Sequence, residues 1–267
     1  MPTLVSPDGR RSAVVRRSGG KALNARDTIW VTDSKTHASR PVYSTRVFGD
    51  TSGLDSPGPI ELKRWSDNGR WIFFAIDPGF SASIAADGLR LRVVSASGGA
   101  AHAIATMLNY EDYLAWCGGR LVFTAGFDRE ATVHKQLDEA APPDWTPHPL
   151  TDLRGRAWGS LACAPDGRSV VVQSQPEAPL TSFFATRWQL WRVGLDGTTT
   201  QLTQPPVQHA DESPHFSRDG RTIYFVRSRR GHGQLYALRG GRMIGPLLSL
   251  GYSLGYYGAN AWAYIVR

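Results

Sequence analysis

The densest chemistry in the sequence lies in one stretch, His209-Ala210-Asp211-Glu212-Ser213-Pro214-His215. Imidazoles and carboxylates are the side chains that ligate divalent cations and move protons in hydrolases and lyases. A mononuclear metal site needs about three protein ligands in a fixed geometry. His209 and His215 alone do not provide it, so remote ligands would be required, with Asp211 or Glu212 turned toward the same point. The remaining histidines, His37, His102, His134, His148 and His232, fall in predicted loops and outer strands. The sequence contains no Gly-x-Ser-x-Gly elbow, no Cys-x-x-Cys, no His-Glu-x-x-His and no phosphate-binding glycine loop. No catalytic residue, metal or cofactor is therefore expected.

The elements around this stretch explain part of it. From Ser213 the chain reads Ser-Pro-His-Phe-Ser-Arg-Asp-Gly-Arg, then Thr222-Ile223-Tyr224-Phe225-Val226. Asp219-Gly220 lies between two apolar segments, and both residues tolerate the positive φ of a tight hairpin. The β-branched and aromatic run after the turn suits a strand covered on both faces. Leu235 to Leu238 reads as a third strand, Gly240-Gly241 as a turn and Ile244 to Leu250 as a fourth strand. Pro246 is tolerable there on a sheet edge. Four strands in about 40 residues is the size of one propeller blade.

The same unit returns along the chain. It is seen at Ser6-Pro7-Asp8-Gly9-Arg10, Ser66-Asp67-Asn68-Gly69-Arg70 and Ala164-Pro165-Asp166-Gly167-Arg168, and in shortened form at Trp116-Cys117-Gly118-Gly119-Arg120. A sixth restart is Tyr256-Tyr257-Gly258-Ala259-Asn260, followed by the apolar run to Val266. The turn residues Gly9, Gly69, Gly119, Gly167, Gly220 and Asn260 are 60, 50, 48, 53 and 40 positions apart. An irregular period near 50 is one structural unit decorated with unequal loops. A β-sandwich would account for the hairpins, but not for the return of the same apolar run after each one. Trp71, Phe73, Val171, Ile223 and Phe225 follow turns and are expected in the core. The polar, proline-rich stretch from Asp128 to Thr151 gives the weakest strand signal.

The Ser-Pro-Asp-Gly-Arg repeat followed by an apolar strand resembles the propeller repeat of TolB-type proteins. It is similar also to the propeller domains of prolyl oligopeptidase relatives and of oligogalacturonate lyases. The approach Leu202-Thr203 … Asp211-Glu212-Ser213-Pro214-His215-Phe216-Ser217 resembles the way those proteins join successive blades. The resemblance covers essentially the whole chain. It implies an all-β, six-bladed β-propeller with four-stranded antiparallel blades and an incomplete last blade, forming a single domain over 1–267. It also implies an extracytoplasmic setting, in periplasm or at the cell surface. The opening residues carry no secretory signal, so that setting rests on resemblance alone.

Oligogalacturonate lyases use channel histidines with a metal, which returns attention to His209 and His215. Asp211, Ser213 and Pro214 are what a blade junction contains anyway; the histidines are the additions. At the position of His215 the other repeats offer Leu4, Arg64, Ala115, Ala162 and Tyr256. None is a good ligand, and Arg64 would repel a cation. Arg64, His209, His215 and Tyr256 are therefore carried as candidates for ligand binding at the channel, and no metal is assigned.

The sixth repeat has room for two strands, and only five residues precede Ser6. The expectation is that the chain is part of a longer protein whose upstream segment completes the last blade; a minimal two-stranded blade is the alternative. Cys117 and Cys163 fall on inner strands of neighbouring repeats. They are expected as buried unpaired thiols, with a disulfide between blades as the alternative. No apolar run reaches the roughly 18 residues of a membrane span. The net charge is +7, with Arg10, Arg70, Arg120, Arg168 and Arg221 supplied by the repeat itself. Arg227, Arg229, Arg230, His232, Arg239 and Arg242 make the fifth repeat basic, but aromatics interleaved for base stacking are missing. Nucleic acid is not the expected partner. The reading is a non-catalytic propeller scaffold that binds a protein or an envelope ligand through its loops and channel mouth. The alternatives are a propeller-type polysaccharide lyase or hydrolase with channel histidines, or an accessory propeller of a larger enzyme.

Overall fold

The computed structural model describes residues 3–20, 24–49, 53, 55–78, 88–126, 135–178, 187–229 and 232–252. They form five four-stranded antiparallel sheets. Sheet one contains β1 (Thr3–Val5), β2 (Arg11–Ser18), β3 (Arg26–Asp33) and β4 (Ser39–Arg46). Sheet two contains β5 (Ile60–Trp65), β6 (Trp71–Ile76), β7 (Leu89–Ser95) and β8 (His102–Met107). A 3₁₀ turn, Glu111–Tyr113, leads into sheet three, which is β9 (Leu114–Cys117), β10 (Arg120–Ala125), β11 (Gln136–Ala140) and β12 (His148–Pro149). Sheet four is β13 (Arg156–Cys163), β14 (Ser169–Pro176), β15 (Gln189–Gly194) and β16 (Thr199–Gln201). Sheet five is β17 (Ala210–Phe216), β18 (Thr222–Arg229), β19 (His232–Arg239) and β20 (Arg242–Tyr252). Within each sheet the strands lie in chain order. The expected sixth repeat, 256–266, lies outside the described residues.

Two compact units are formed: Met1–Glu111 with Ala140–Pro147, and Asp112–Glu139 with His148–Arg267. The first holds sheets one and two, the second sheets three to five. Ala13, Ile29 and Val31 of sheet one pack with Ile72, Phe74 and Val94 of sheet two. In the second unit, Val122 and Leu137 pack with Val170, Val172 and Val193, and Val171 and Leu190 pack with Ile223, Phe225 and Leu238. Phe73, Val171, Ile223 and Phe225 are buried as their position after the turn requires. Trp71 is only half-buried. Its ring packs edge-on against Trp145, 5.0 Å between centroids, and Phe73 meets the same indole at 5.7 Å. Trp145 is 1% exposed, so the proline-rich stretch that gave the weakest signal delivers a core anchor to the first unit.

The repeat motif has a specific job in the turn. The Ser6 hydroxyl donates to Asp8 Oδ1 at 2.7 Å and accepts the Arg11 amide at 2.9 Å, while Asp8 Oδ1 accepts the Arg10 amide at 3.1 Å. Ser66 with Asn68, and Ser217 with Asp219, repeat the arrangement. Gly9, Gly69, Gly167 and Gly220 all close the turn with positive φ. The serine and acid thus satisfy turn amides that would otherwise need water.

The cysteines depart from expectation. Cys117 and Cys163 form a disulfide, with Cα atoms 5.5 Å apart. β9 of sheet three and β13 of sheet four run side by side there, which brings two thiols 46 residues apart in sequence into bonding range. The expected free thiols are therefore corrected to a covalent link between neighbouring sheets.

Candidate functional site

The first strands of three sheets carry a β-bulge: β5 between Leu62 and Arg64, β13 between Trp158 and Leu161, and β17 between Glu212 and His215. A bulge inserts an unpaired residue and re-aims the side chains beside it. After each bulge the pairing is equivalent, with Arg64 opposite Phe73, Ala162 opposite Val171 and His215 opposite Tyr224. Leu4 opposite Ala13 and Ala115 opposite Val122 occupy the same ladder position in the other two sheets.

In the second unit the bulges are tied together by polar contacts. The Ser213 amide donates to Ser160 Oγ at 2.8 Å, and the Ser160 hydroxyl donates to Gln173 Oε1 at 3.0 Å. Ser213 adopts φ +50, and its hydroxyl donates to Asp112 Oδ2 at 3.1 Å. Gly159 leaves room for this contact, since a Cβ there would lie 2.6 Å from Gln173 Oε1 and push the amide away from Ser160. Thr124 Oγ1 donates to the Gly159 carbonyl at 2.8 Å, adding sheet three.

Besides Asp112, the carboxyls of Asp211 and Glu212 flank the Ser213 bulge, and a further buried carboxyl, Asp138, lies apart on β11 of sheet three. Asp211 is fully buried and receives Arg227 through Nε at 2.7 Å and Nη2 at 2.8 Å. Glu212 is pushed up to about 7, chiefly by burial and also by the negative charges of Asp112 and Asp211; a hydrogen bond with Ser228 opposes the rise. Asp138, on β11, is pushed up to about 6 by burial, with His148 opposing. Each carboxyl thus meets a different environment although two are adjacent in sequence.

The two histidines are not brought together. His215 shares a face of sheet five with its ladder partner Tyr224, the face that carries Val226 and Leu235. His209 lies just before β17, its Nδ1 3.1 Å from the Val207 carbonyl oxygen. It lines a cleft of about 560 Å³ with Arg227, Arg229, His232, Gln234 and Tyr236. Those strand residues alternate with Tyr224 and Val226 and so belong to the opposite face. Among the described residues no three of His, Cys, Asp and Glu gather as a metal-holding group. Arg64 lies in the first unit, its Nη2 3.5 Å from Asp67 Oδ1 and its Nε 3.3 Å from the Trp65 carbonyl. Burial lowers its pKa, against the pull of Asp67 and Glu111. Tyr256 lies outside the described residues.

Sequence reading missed Asp112, Ser160 and Gln173. A signal for the last was present: Gln173-Ser174-Gln175 interrupts the apolar run of β14 while all three remain buried. Polar residues in a covered strand imply partners across the sheet interface.

Comparison with solved structures gives the fold. A TolB protein from Agrobacterium tumefaciens matches 94% of this chain and 80% of its own length, at 15% identity and a TM-score of 0.52. The β-propeller domain of the trilobed protease from Pyrococcus furiosus matches 94% of this chain and 71% of its own, at 16% identity and a TM-score of 0.53. Puromycin hydrolase matches 96% of this chain but only 39% of its own, at 13% identity and a TM-score of 0.59. No family model and no curated protein matches the sequence. The chain has a TolB-like β-propeller fold.

Proposed function

We propose that the protein is a non-catalytic β-propeller scaffold, one domain over 1–267, that binds a protein or cell-envelope ligand through its loops and channel mouth. One observation carries this reading. Polar groups of the first strands are committed to neighbouring elements, Asp211 to Arg227, Ser213 to Asp112 and Ser160 to Gln173, while His215 and the cleft that His209 lines lie on opposite faces of sheet five. Groups spent on positioning strands make a rigid support for loops. Nucleic acid is not included, since Tyr236, the aromatic residue among the basic groups of that cleft, already has its ring against Phe225 and Arg227.

The Cys117–Cys163 disulfide supports an extracytoplasmic setting, because such links persist in oxidising compartments. No helix among the described residues is long and apolar enough to cross a membrane. The test is turnover by the purified full chain on polygalacturonate and on chromogenic peptide substrates, beside the H209A/H215A variant. No turnover by either is expected. Turnover that disappears in the variant would overturn the reading in favour of a lyase or hydrolase.

A second reading, an accessory propeller of a larger enzyme, is favoured by one observation: the chain spans only 39% of puromycin hydrolase while 96% of it is matched. Immunodetection in the native source separates the two. A band at the mass of this chain supports the scaffold, and a larger one supports the accessory domain.

A further inference from the structure

The cleft of sheet five carries an inference that rests on the scaffold reading and narrows its partner. Among the described residues its wall is basic and has no acidic side chain: His209, Arg227, Arg229 and His232 line it, with Gln234 and Tyr236. The two arginines are not equivalent. Arg227 is held on both oxygens of buried Asp211, which neutralises it. Arg229 is exposed, lies two residues along the same face of β18, and has no ion-pair partner among the described residues. Exposed apolar groups adjoin two other lining residues: Val207, 62% exposed, whose carbonyl lies 3.1 Å from His209 Nδ1, and Met243, 37% exposed, whose Sδ lies 3.5 Å from Arg227 Nη1.

We propose that this cleft docks an acidic segment of a partner protein, a side-chain carboxylate taking the Arg229 guanidinium and neighbouring apolar side chains resting on Val207 and Met243. The planar fork of arginine matches a carboxylate with two parallel hydrogen bonds. Charge complementarity selects the occupant. Arg227 supplies a fixed wall, and Arg229 supplies the net charge that an acidic segment answers.

The geometry disfavours an acidic sugar, which would use the same charge but also an aromatic platform. Tyr236, the aromatic residue of the cleft, has its ring engaged by Phe225 at 5.9 Å and by Arg227 at 5.2 Å. Gly245 closes on it as well, since an added Cβ there would lie 2.9 Å from Tyr236 Cδ1. The ring is part of the wall.

The experiment uses the full chain and a fluorescein-labelled, end-blocked peptide of alternating Leu and Glu, read by fluorescence anisotropy. The same peptide with Gln for Glu, and tetragalacturonate as competitor, are the comparators. The Glu peptide is expected to bind at least tenfold more tightly than the Gln peptide, and R229Q to lose at least tenfold. R218Q, an equal charge change at another exposed arginine, is expected to stay within twofold. Circular dichroism of R229Q confirms an intact sheet signal. Absent or equal binding of the two peptides, or equal effects of R229Q and R218Q, would overturn the proposal. So would tetragalacturonate binding that depends on Arg229 while the Glu peptide is ignored. Mass spectrometry of the recovered peptide keeps the two readings apart. An intact, unbound peptide sinks the cleft proposal alone, whereas a cleaved peptide sinks the non-catalytic scaffold.

Discussion

Glu212 makes stability depend on pH in an uncommon direction. Its pKa rises from the usual 4.5 to about 7 because burial and two nearby aspartates disfavour the charged form. The folded state therefore holds the proton more tightly than the unfolded chain between those values. Stability is highest below pH 4.5 for this group, falls as pH rises through 7, and is flat beyond. At about 1.4 kcal/mol per pH unit, the full difference would be roughly 3 kcal/mol. Glu212 keeps a partial opening to solvent, so about 2 kcal/mol is the fairer magnitude.

The perturbation is Glu212→Gln, which keeps the shape of the neutral acid and removes its titration. Urea unfolding at pH 5, 6, 7 and 8 reads the effect. The variant should exceed the parent by only about 0.5 kcal/mol at pH 5 and by about 2 kcal/mol at pH 8. Asp138, pushed up to about 6, remains in both proteins and adds its own decline at lower pH, so the comparison isolates Glu212. A variant as pH-dependent as the parent across this range, or one less stable at pH 8, would refute the reasoning.

Other expectations test the packing and the links between sheets. Phe225→Ala and Trp145→Ala each remove a fully buried ring and should cost about 3–5 kcal/mol in denaturant unfolding; a loss below about 1 kcal/mol would show that the ring is not a core anchor. Replacing both Cys117 and Cys163 by Ser frees a segment of 46 residues in the unfolded chain and should cost roughly 2–4 kcal/mol, and an unchanged midpoint would count against the link. Arg227→Gln strands the fully buried Asp211 and should cost about 3–5 kcal/mol; stability within about 0.5 kcal/mol of the parent would mean that the pair is not holding the strand.

The strands were legible because the repeat states its turns twice. Asp-Gly or Asn-Gly tolerates the positive φ, and the apolar run after it can only be covered on both faces. The placement of the histidines was not legible. A single bulge between Glu212 and His215 decides which side chains share a face, and it is made at Ser213, a residue with no intrinsic preference for φ +50. The partners that fix it are remote: Asp112 lies 101 residues away and Ser160 lies 53. Equally, the disulfide depends on how two repeats abut, which spacing alone does not encode. Trp145 was hidden for another reason. Its flanking residues are polar, and one indole packed against two aromatic rings needs no periodic pattern around it.

The fold uses one device for two ends. In sheet one, Asp27 is buried, receives Arg17 at 2.7 Å and 3.0 Å, and also accepts the Ile60 amide at 3.2 Å. That carboxylate is saturated, and the pair joins neighbouring sheets. In sheet five, Asp211 takes Arg227 in the same two-pronged way, but the arginine also forms the wall of a cleft. An arginine held through two guanidinium nitrogens has little side-chain entropy left to lose, so it presents a rigid surface to an incoming ligand. Arg229, two positions along the strand, shares that face without sharing the carboxylate. Fixed and unfixed charge are thereby set side by side by strand periodicity alone. The difference separates their roles: removing Arg227 should be felt in stability, and removing Arg229 in binding.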